Sequence, residues 1–142
     1  MRDGLKPGDV HRHVFTVTDA KTVPNLYPES AAFVAMPRVF ATGYMVGLME
    51  WACIEALAPH LEEGEGSLGV GIDVTHIAAT PPGMAVTVTA TCLSVEGRRI
   101  RWRVLAEDEI EVIGEGTHDR AVVAWDRFQA RLADKENAVA AR

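Results

Sequence analysis

The sequence predicts an α+β fold in which a five-stranded antiparallel sheet wraps around one long central helix. Two observations carry that prediction. Residues 40–60 (Phe-Ala-Thr-Gly-Tyr-Met-Val-Gly-Leu-Met-Glu-Trp-Ala-Cys-Ile-Glu-Ala-Leu-Ala-Pro-His) read as a helix that is apolar almost all the way round, and helices of that kind are buried rather than laid on a surface. Around it lie β-branched, alternating segments separated by short turns, the signature of antiparallel strands. A single helix with no polar side must be covered, and a curved antiparallel sheet is the element left to cover it.

The first strand is residues 10–18, Val-His-Arg-His-Val-Phe-Thr-Val-Thr. His11 and His13 share one of its faces at period 2; with no third ligand nearby they read as surface histidines rather than a metal pair. Residues 19–40 are broken into turns by Pro24, Pro28 and Pro37, yet they carry Val23, Leu26, Tyr27, Phe33 and Met36. A loop of that length is uncommon without a purpose; it reads either as packing against the core or as a lid over a pocket.

The helix follows over about 44–58. Thr42 stands at the expected N-terminal cap, and Pro59 stops the helix because it lacks the N–H that a further turn needs. At 3.6 residues per turn Gly43, Gly47, Glu50 and Ile54 fall on one stripe, a narrow groove with a carboxylate set into it. Glu55, nearer the helix end, reads as solvated or partner-facing. Residues 62–67 form a polar, glycine-rich turn. Beyond it, Val70, Ile72, Val74, His76 and Ala78 alternate on one face of a strand, and Pro81-Pro82-Gly83 make a turn. Residues 85–94 are β-branched, Glu96-Gly97 signal a hairpin, and 98–106 answer with Ile100, Trp102 and Val104 inward. Residues 110–125 are the last strand, where Gly114 and Gly116 suggest a bulge or a close backbone contact. The tail from about 134 is expected to fray.

This order of elements is the hotdog arrangement, filling residues 1–142 as a single domain. Its edge strands and the uncovered part of its helix call for a second copy, so a homodimer is expected. With 48% hydrophobic residues, 24% charged residues and a formal net charge of −6, the chain has no electrostatic footprint for nucleic acid. No run approaches the length of a membrane span, and no secretory signal is expected from the N-terminus. The two cysteines, Cys53 and Cys92, lie outside any metal-ligand spacing and fit a reducing compartment, so a cytoplasmic protein without a metal is expected.

The chemistry turns on a few polar side chains. Glu50 stands among Val46, Met49, Cys53 and Ile54, where a carboxylate is costly unless paired, hydrogen-bonded or protonated. It is either a core-edge residue reaching solvent or a placed catalytic or binding carboxylate. His76, on an apolar strand face, is either a satisfied core histidine or a base. With Thr42 they form a chemically complete set of hydroxyl, base and carboxylate, and Gly69 offers an unhindered N–H for a developing oxyanion. No nucleophile elbow, phosphate loop or metal motif is present. The residues point to acyl chemistry in a hotdog.

The chain also resembles the fluoroacetyl-CoA thioesterase family from residue 1 to about 131. The resemblance is carried by Lys-Thr-Val at 21–23, Leu-Tyr-Pro-Glu-Ser at 26–30, Thr-Gly-Tyr-Met-Val-Gly-Leu-Met-Glu-Trp-Ala-Cys at 42–53 and Gly-Glu-Gly-Ser-Leu-Gly at 64–69. Val-Thr-His at 74–76, Ala-Ala-Thr-Pro-Pro-Gly at 78–83, Ser-Val-Glu-Gly-Arg-Arg at 94–99 and Gly-Thr-His-Asp-Arg-Ala-Val at 116–122 continue it. The resemblance implies a homodimer that hydrolyses fluoroacetyl-CoA to fluoroacetate and CoA as self-resistance, with Thr42, Glu50 and His76 at the catalytic positions. It implies that Gly69 of the partner subunit helps hold the thioester carbonyl, that Val23, Leu26 and Phe33 form an apolar lid, and that Arg120 lies near the site. Met36 stands where the family's characterised form has a phenylalanine that gates the pocket, so discrimination for fluorine is the property this departure touches. No cofactor is implied, since CoA is part of the substrate. Two other readings use the same fold: a general short-chain acyl-CoA thioesterase, and a non-catalytic acyl-CoA sensor. A sensor acting on DNA would add a basic helix-turn-helix, and none is present.

Overall fold

The computed structural model describes residues 1–142. Five strands, β1 (Val10–Thr16), β2 (Glu65–Val74), β3 (Ala85–Glu96), β4 (Arg99–Glu107) and β5 (Val112–Ala124), form one antiparallel sheet in the order β1-β3-β4-β5-β2. The helix α2 (Thr42–Leu57) packs against it and ends in a 3₁₀ turn, Ala58–His60, that contains Pro59. Its inner face is Met45, Leu48, Met49, Ala52, Cys53 and Leu57, all buried in one cluster with Val86, Val88, Ile100, Trp102 and Val104 from the sheet. The expected hotdog is present, and β4, the central strand, carries Trp102 into the middle of the core.

Four expectations need correction. Thr42 is the first residue of the helix rather than its cap; extended Ala41 takes the cap position, and no side chain caps the end. The last strand, expected to run to 125, ends at Ala124, and a second long helix that was not expected, α3 (Trp125–Ala140), follows it and takes in the tail from about 134. Trp125, Phe128 and Leu132 have the i, i+3, i+7 spacing that announces such a helix. The Trp125 N–H donates to Gly64 O over 2.9 Å, and its indole lies on Gly66, where a Cβ would collide with it. Short turns do not join every strand: β2 and β3 lie apart in the sheet, so 75–84 cross from one to the other. Finally, the register of β2 on β5 shifts between Gly69 and Gly71, which takes Val70 out of the alternation that was to include it.

The expectation for Gly114 and Gly116 holds, since a Cβ at either would run into the backbone of 73–75. Residues 19–40 contain two 3₁₀ turns, Asp19–Lys21 and Val23–Asn25, and a one-turn helix α1 (Ala31–Val34) capped by Ser30, whose Oγ accepts from Phe33 N over 3.3 Å. No helix is long and apolar enough to cross a membrane.

Candidate active site

Two polar groups flank α2. The first lies at its N-terminus. Phe40 N donates to Thr80 O over 2.8 Å and Ala41 N to Lys21 O over 3.0 Å, which pins the approach to the helix between the lid segment and the crossing connection. Because Ala41 occupies the cap, the Thr42 side chain is free to turn outward, and its Oγ1 lies 2.7 Å from His76 Nδ1. His76 is two residues beyond β2, but Thr75 and Ile77 still donate to Glu115 and Ile113 of the β5 side, over 2.9 and 2.7 Å. The chain therefore stays extended, and period 2 keeps Ile72, Val74 and His76 on the helix side. His76 Nε2 is buried and has no hydrogen-bond partner. Burial holds the ring below the ordinary imidazole pKa, so it is an unprotonated base at neutral pH. Val23, Val39, Phe40, Ile77, Ala78 and Ala79 complete an apolar cavity around the pair. The uncapped helix end adds first-turn N–H groups without intrahelical partners, a favourable place for developing negative charge.

The second group lies two turns along. Glu50 Oε1 accepts from Arg120 Nη1 at 3.2 Å; the Arg120 side chain is 4% exposed, so its charge depends on the partners it has. Arg120 also donates through Nε to Ser67 Oγ over 2.9 Å and through Nη2 to Ser67 O over 3.0 Å. Gly69 pairs with Arg120 across the ladder, and a Cβ there would stand 2.5 Å from Glu50 Oε1. Only glycine lets the carboxylate sit where it does. Cys53 is adjacent, but burial pushes its thiol up to about 12, which removes it as a nucleophile. His118, which the sequence reading did not single out, completes this group beside Gly71 and Arg120. Its signal was its place two residues before Arg120, on the same face of β5.

Within one chain the structure thus brings Thr42 to His76, and Glu50 to Gly69 and Arg120, in two separate cavities. It does not bring Glu50 to His76. Val23 lines the Thr42–His76 cavity, and Leu26 lies over Gly43. Phe33 packs on Tyr27 with ring centroids 5.6 Å apart, and Met36 is 51% exposed, standing at the surface of the lid segment. His11 and His13 are tied rather than free: both contact Glu55 Oε1, at 3.0 and 2.8 Å, and His13 stacks near Trp51. Glu55, expected to be solvated or partner-facing, ties the β1 edge to α2 through these two histidines.

The fold is shared with a protein of Thermus thermophilus described as a thioesterase superfamily member, 28% identical, with a TM-score of 0.88 over 98% of each chain. This places the chain among the hotdog-fold thioesterases. A finer assignment follows from the family model for fluoroacetyl-CoA-specific thioesterase, which matches residues 17–126. The fluoroacetyl-CoA thioesterase of Streptantibioticus cattleyicolor is 58% identical over 135 residues, 95% of this chain and 97% of that one. The solved structure of the fluoroacetyl-CoA thioesterase FlK superimposes with a TM-score of 0.92 at 59% identity, covering 94% of this chain and 98% of FlK. The chain belongs to the fluoroacetyl-CoA-specific thioesterase family.

Proposed function

We propose that this protein hydrolyses fluoroacetyl-CoA to fluoroacetate and CoA, as a cytoplasmic homodimer that removes a toxic acyl group. The observation that carries the reading is the 2.7 Å contact of Thr42 with His76 at the free N-terminus of α2, in a chain of this family. Nε2 of His76, buried and unpartnered, is the base that takes a proton from the carbon bearing fluorine. Glu50 acts on the carbonyl as nucleophile or by activating water. To close the reaction, the oxygen of water joins the acyl carbon as the carbon–sulfur bond breaks, the carbon bearing fluorine takes back the proton held by His76, and the sulfur, protonated by water, leaves as the thiol of CoA.

The separation of the two groups supports a site built from two copies. Thr42 and Glu50 are eight residues apart on α2, about 12 Å of helix rise. Two copies of the helix running antiparallel across a two-fold axis near Val46 set Thr42 and His76 of one copy beside Glu50 and Gly69 of the other. The surface available for this is apolar: Val70 and Ile72 on the β2 edge are each 47% exposed, and Ile54 on α2 is 45% exposed. Gly47, exposed and with nothing of this chain within 4 Å of where a Cβ would stand, lets a second backbone approach closely.

Selectivity follows from chemistry rather than size. One methylene of fit is worth about 1–3 kcal/mol, and exchanging hydrogen for fluorine is a smaller change. Discrimination against acetyl-CoA must come from the greater acidity of the hydrogen beside fluorine, which His76 exploits, and from a lid that excludes water. Steady-state rates on both thioesters test this. The native chain is expected to prefer fluoroacetyl-CoA largely through kcat, and Met36→Phe is expected to change the preference without creating hydrolysis. Equal kcat/KM on the two substrates would leave a general short-chain thioesterase, the reading that the exposed position of Met36 favours.

A further inference from the structure

We propose that His118 is a positioning residue of the active site, a neutral ring with its proton on Nδ1 that holds Arg120 against Glu50 and fixes the bulge next to Gly69. This rests on reading Glu50 as an active-site carboxylate. His118 is 2% exposed, and both of its ring nitrogens are committed. Nδ1 lies 2.8 Å from Gly71 O, which can only accept, so Nδ1 carries the hydrogen. Nε2 lies 3.1 Å from Arg120 Nη1. A guanidinium only donates and does not lose its proton, so Nε2 must present a lone pair. The two neighbours together leave one protonation state; a doubly protonated ring would set N–H against N–H. Burial, reinforced by the charge of Arg120, holds the ring below the ordinary imidazole pKa, in agreement with that state.

The same geometry says what the ring does. Arg120 Nη1 is shared between His118 and Glu50, while Nε and Nη2 are held by Ser67. Removing the acceptor at His118 frees the one guanidinium nitrogen that reaches the carboxylate. Gly71, the other partner, stands just past the register shift, and His118 Cε1 is 3.1 Å from where a Cβ on Gly69 would lie. One imidazole therefore braces both the carboxylate and the glycine. Asp119, between His118 and Arg120 in sequence, faces the other side of the sheet and pairs with Arg101 at 2.9 Å, so it does not compete.

Nitrogen NMR of the native protein labelled at histidine reads the tautomer directly. The expected result is a protonated Nδ1 and an unprotonated Nε2 at His118, and the opposite tautomer would overturn the proposal. Three variants separate the two contacts. His118→Gln reaches the Nε2 position and can accept from Arg120; His118→Asn reaches only the Nδ1 position and can donate to Gly71; His118→Leu does neither. On fluoroacetyl-CoA, kcat is expected to fall by roughly tenfold or more in the Leu and Asn variants with KM little changed, and by no more than about threefold in the Gln variant. Native kcat in His118→Asn, or a Gln variant as impaired as the Asn variant at matched Tm, rejects the coupling to Arg120. Glu50→Gln serves as the reference: if it keeps native kcat, the reading of Glu50 fails, whereas a damaged Glu50→Gln beside an unaffected His118→Asn sinks this proposal alone.

Discussion

Replacing His76 with alanine is expected to lower kcat on fluoroacetyl-CoA by roughly 10²-fold or more, the scale of a lost general base. The side chain is suited to this test because it belongs to a cavity wall rather than to the core. It lies beyond the end of β2 and is absent from the buried cluster that holds the sheet to α2. Its removal leaves the backbone bonds of Thr75 and Ile77 in place, so the fold and KM should change little. The pH dependence gives a second signature. Burial lowers the pKa of the ring, so the base form persists below the ordinary imidazole value of about 6.5. Activity should therefore be retained as the pH falls through that value and be lost further into acid, and the residual rate of His76→Ala should lack this limb. A near-native rate in the variant would make His76 a structural histidine.

The largest loss of stability is expected at Trp102. It sits on the central strand, 1% exposed, in the cluster shared with Met45, Met49 and Leu57 of α2. Truncation to alanine should cost about 3–5 kcal/mol, because the helix above and the strands beside it can collapse only partly into the space. For a domain of this size that corresponds to a fall in Tm of roughly 10 °C or more. Trp102→Phe keeps most of the volume, and since the indole Nε1 has no hydrogen-bond partner, it forfeits no bond. It should be much milder. Equal destabilisation by the two, measured by denaturant or thermal unfolding, would show that shape rather than volume governs this position.

How much of this was legible in the sequence depends on the range of the interaction. The inner face of β4 could be read because Ile100, Trp102 and Val104 alternate and no other segment offered a better partner for the helix. The helix itself was clear, but its start was not. A threonine two residues before a helical run is the usual cap, and only the tertiary bonds of Phe40 and Ala41 show why alanine caps here and Thr42 is released toward His76. His76 kept its predicted face because Thr75 and Ile77 continue the ladder past the strand. Val70 lost its ladder partner because a bulge is a one-residue event that period counting does not register. The partners of Glu50 and Glu55 were beyond reach for a different reason. Arg120 lies 70 residues from Glu50, and His11 and His13 lie 44 and 42 residues from Glu55. Hydrophobic patterning fixes which faces are buried, but it does not say which charges meet across them. The helix α3 was the exception, since the Trp125, Phe128 and Leu132 spacing that announces it is present in the sequence.

The claim at the centre of this account is that Thr42 and His76 of one copy work with Glu50 and Gly69 of another. Mixing two inactive variants tests it most directly. His76→Ala and Glu50→Gln, each alone, should be nearly inactive on fluoroacetyl-CoA. When the two are unfolded together and refolded as a mixture, half of the dimers carry one chain of each kind. In such a dimer one site collects both lesions and the other collects none, so the mixture should recover on the order of a quarter of native activity, as two-fold symmetry requires. If instead His76 and Glu50 of the same chain form each site, every site in every dimer carries a lesion. The mixture would then stay as inactive as its parents, and the shared site would be contradicted.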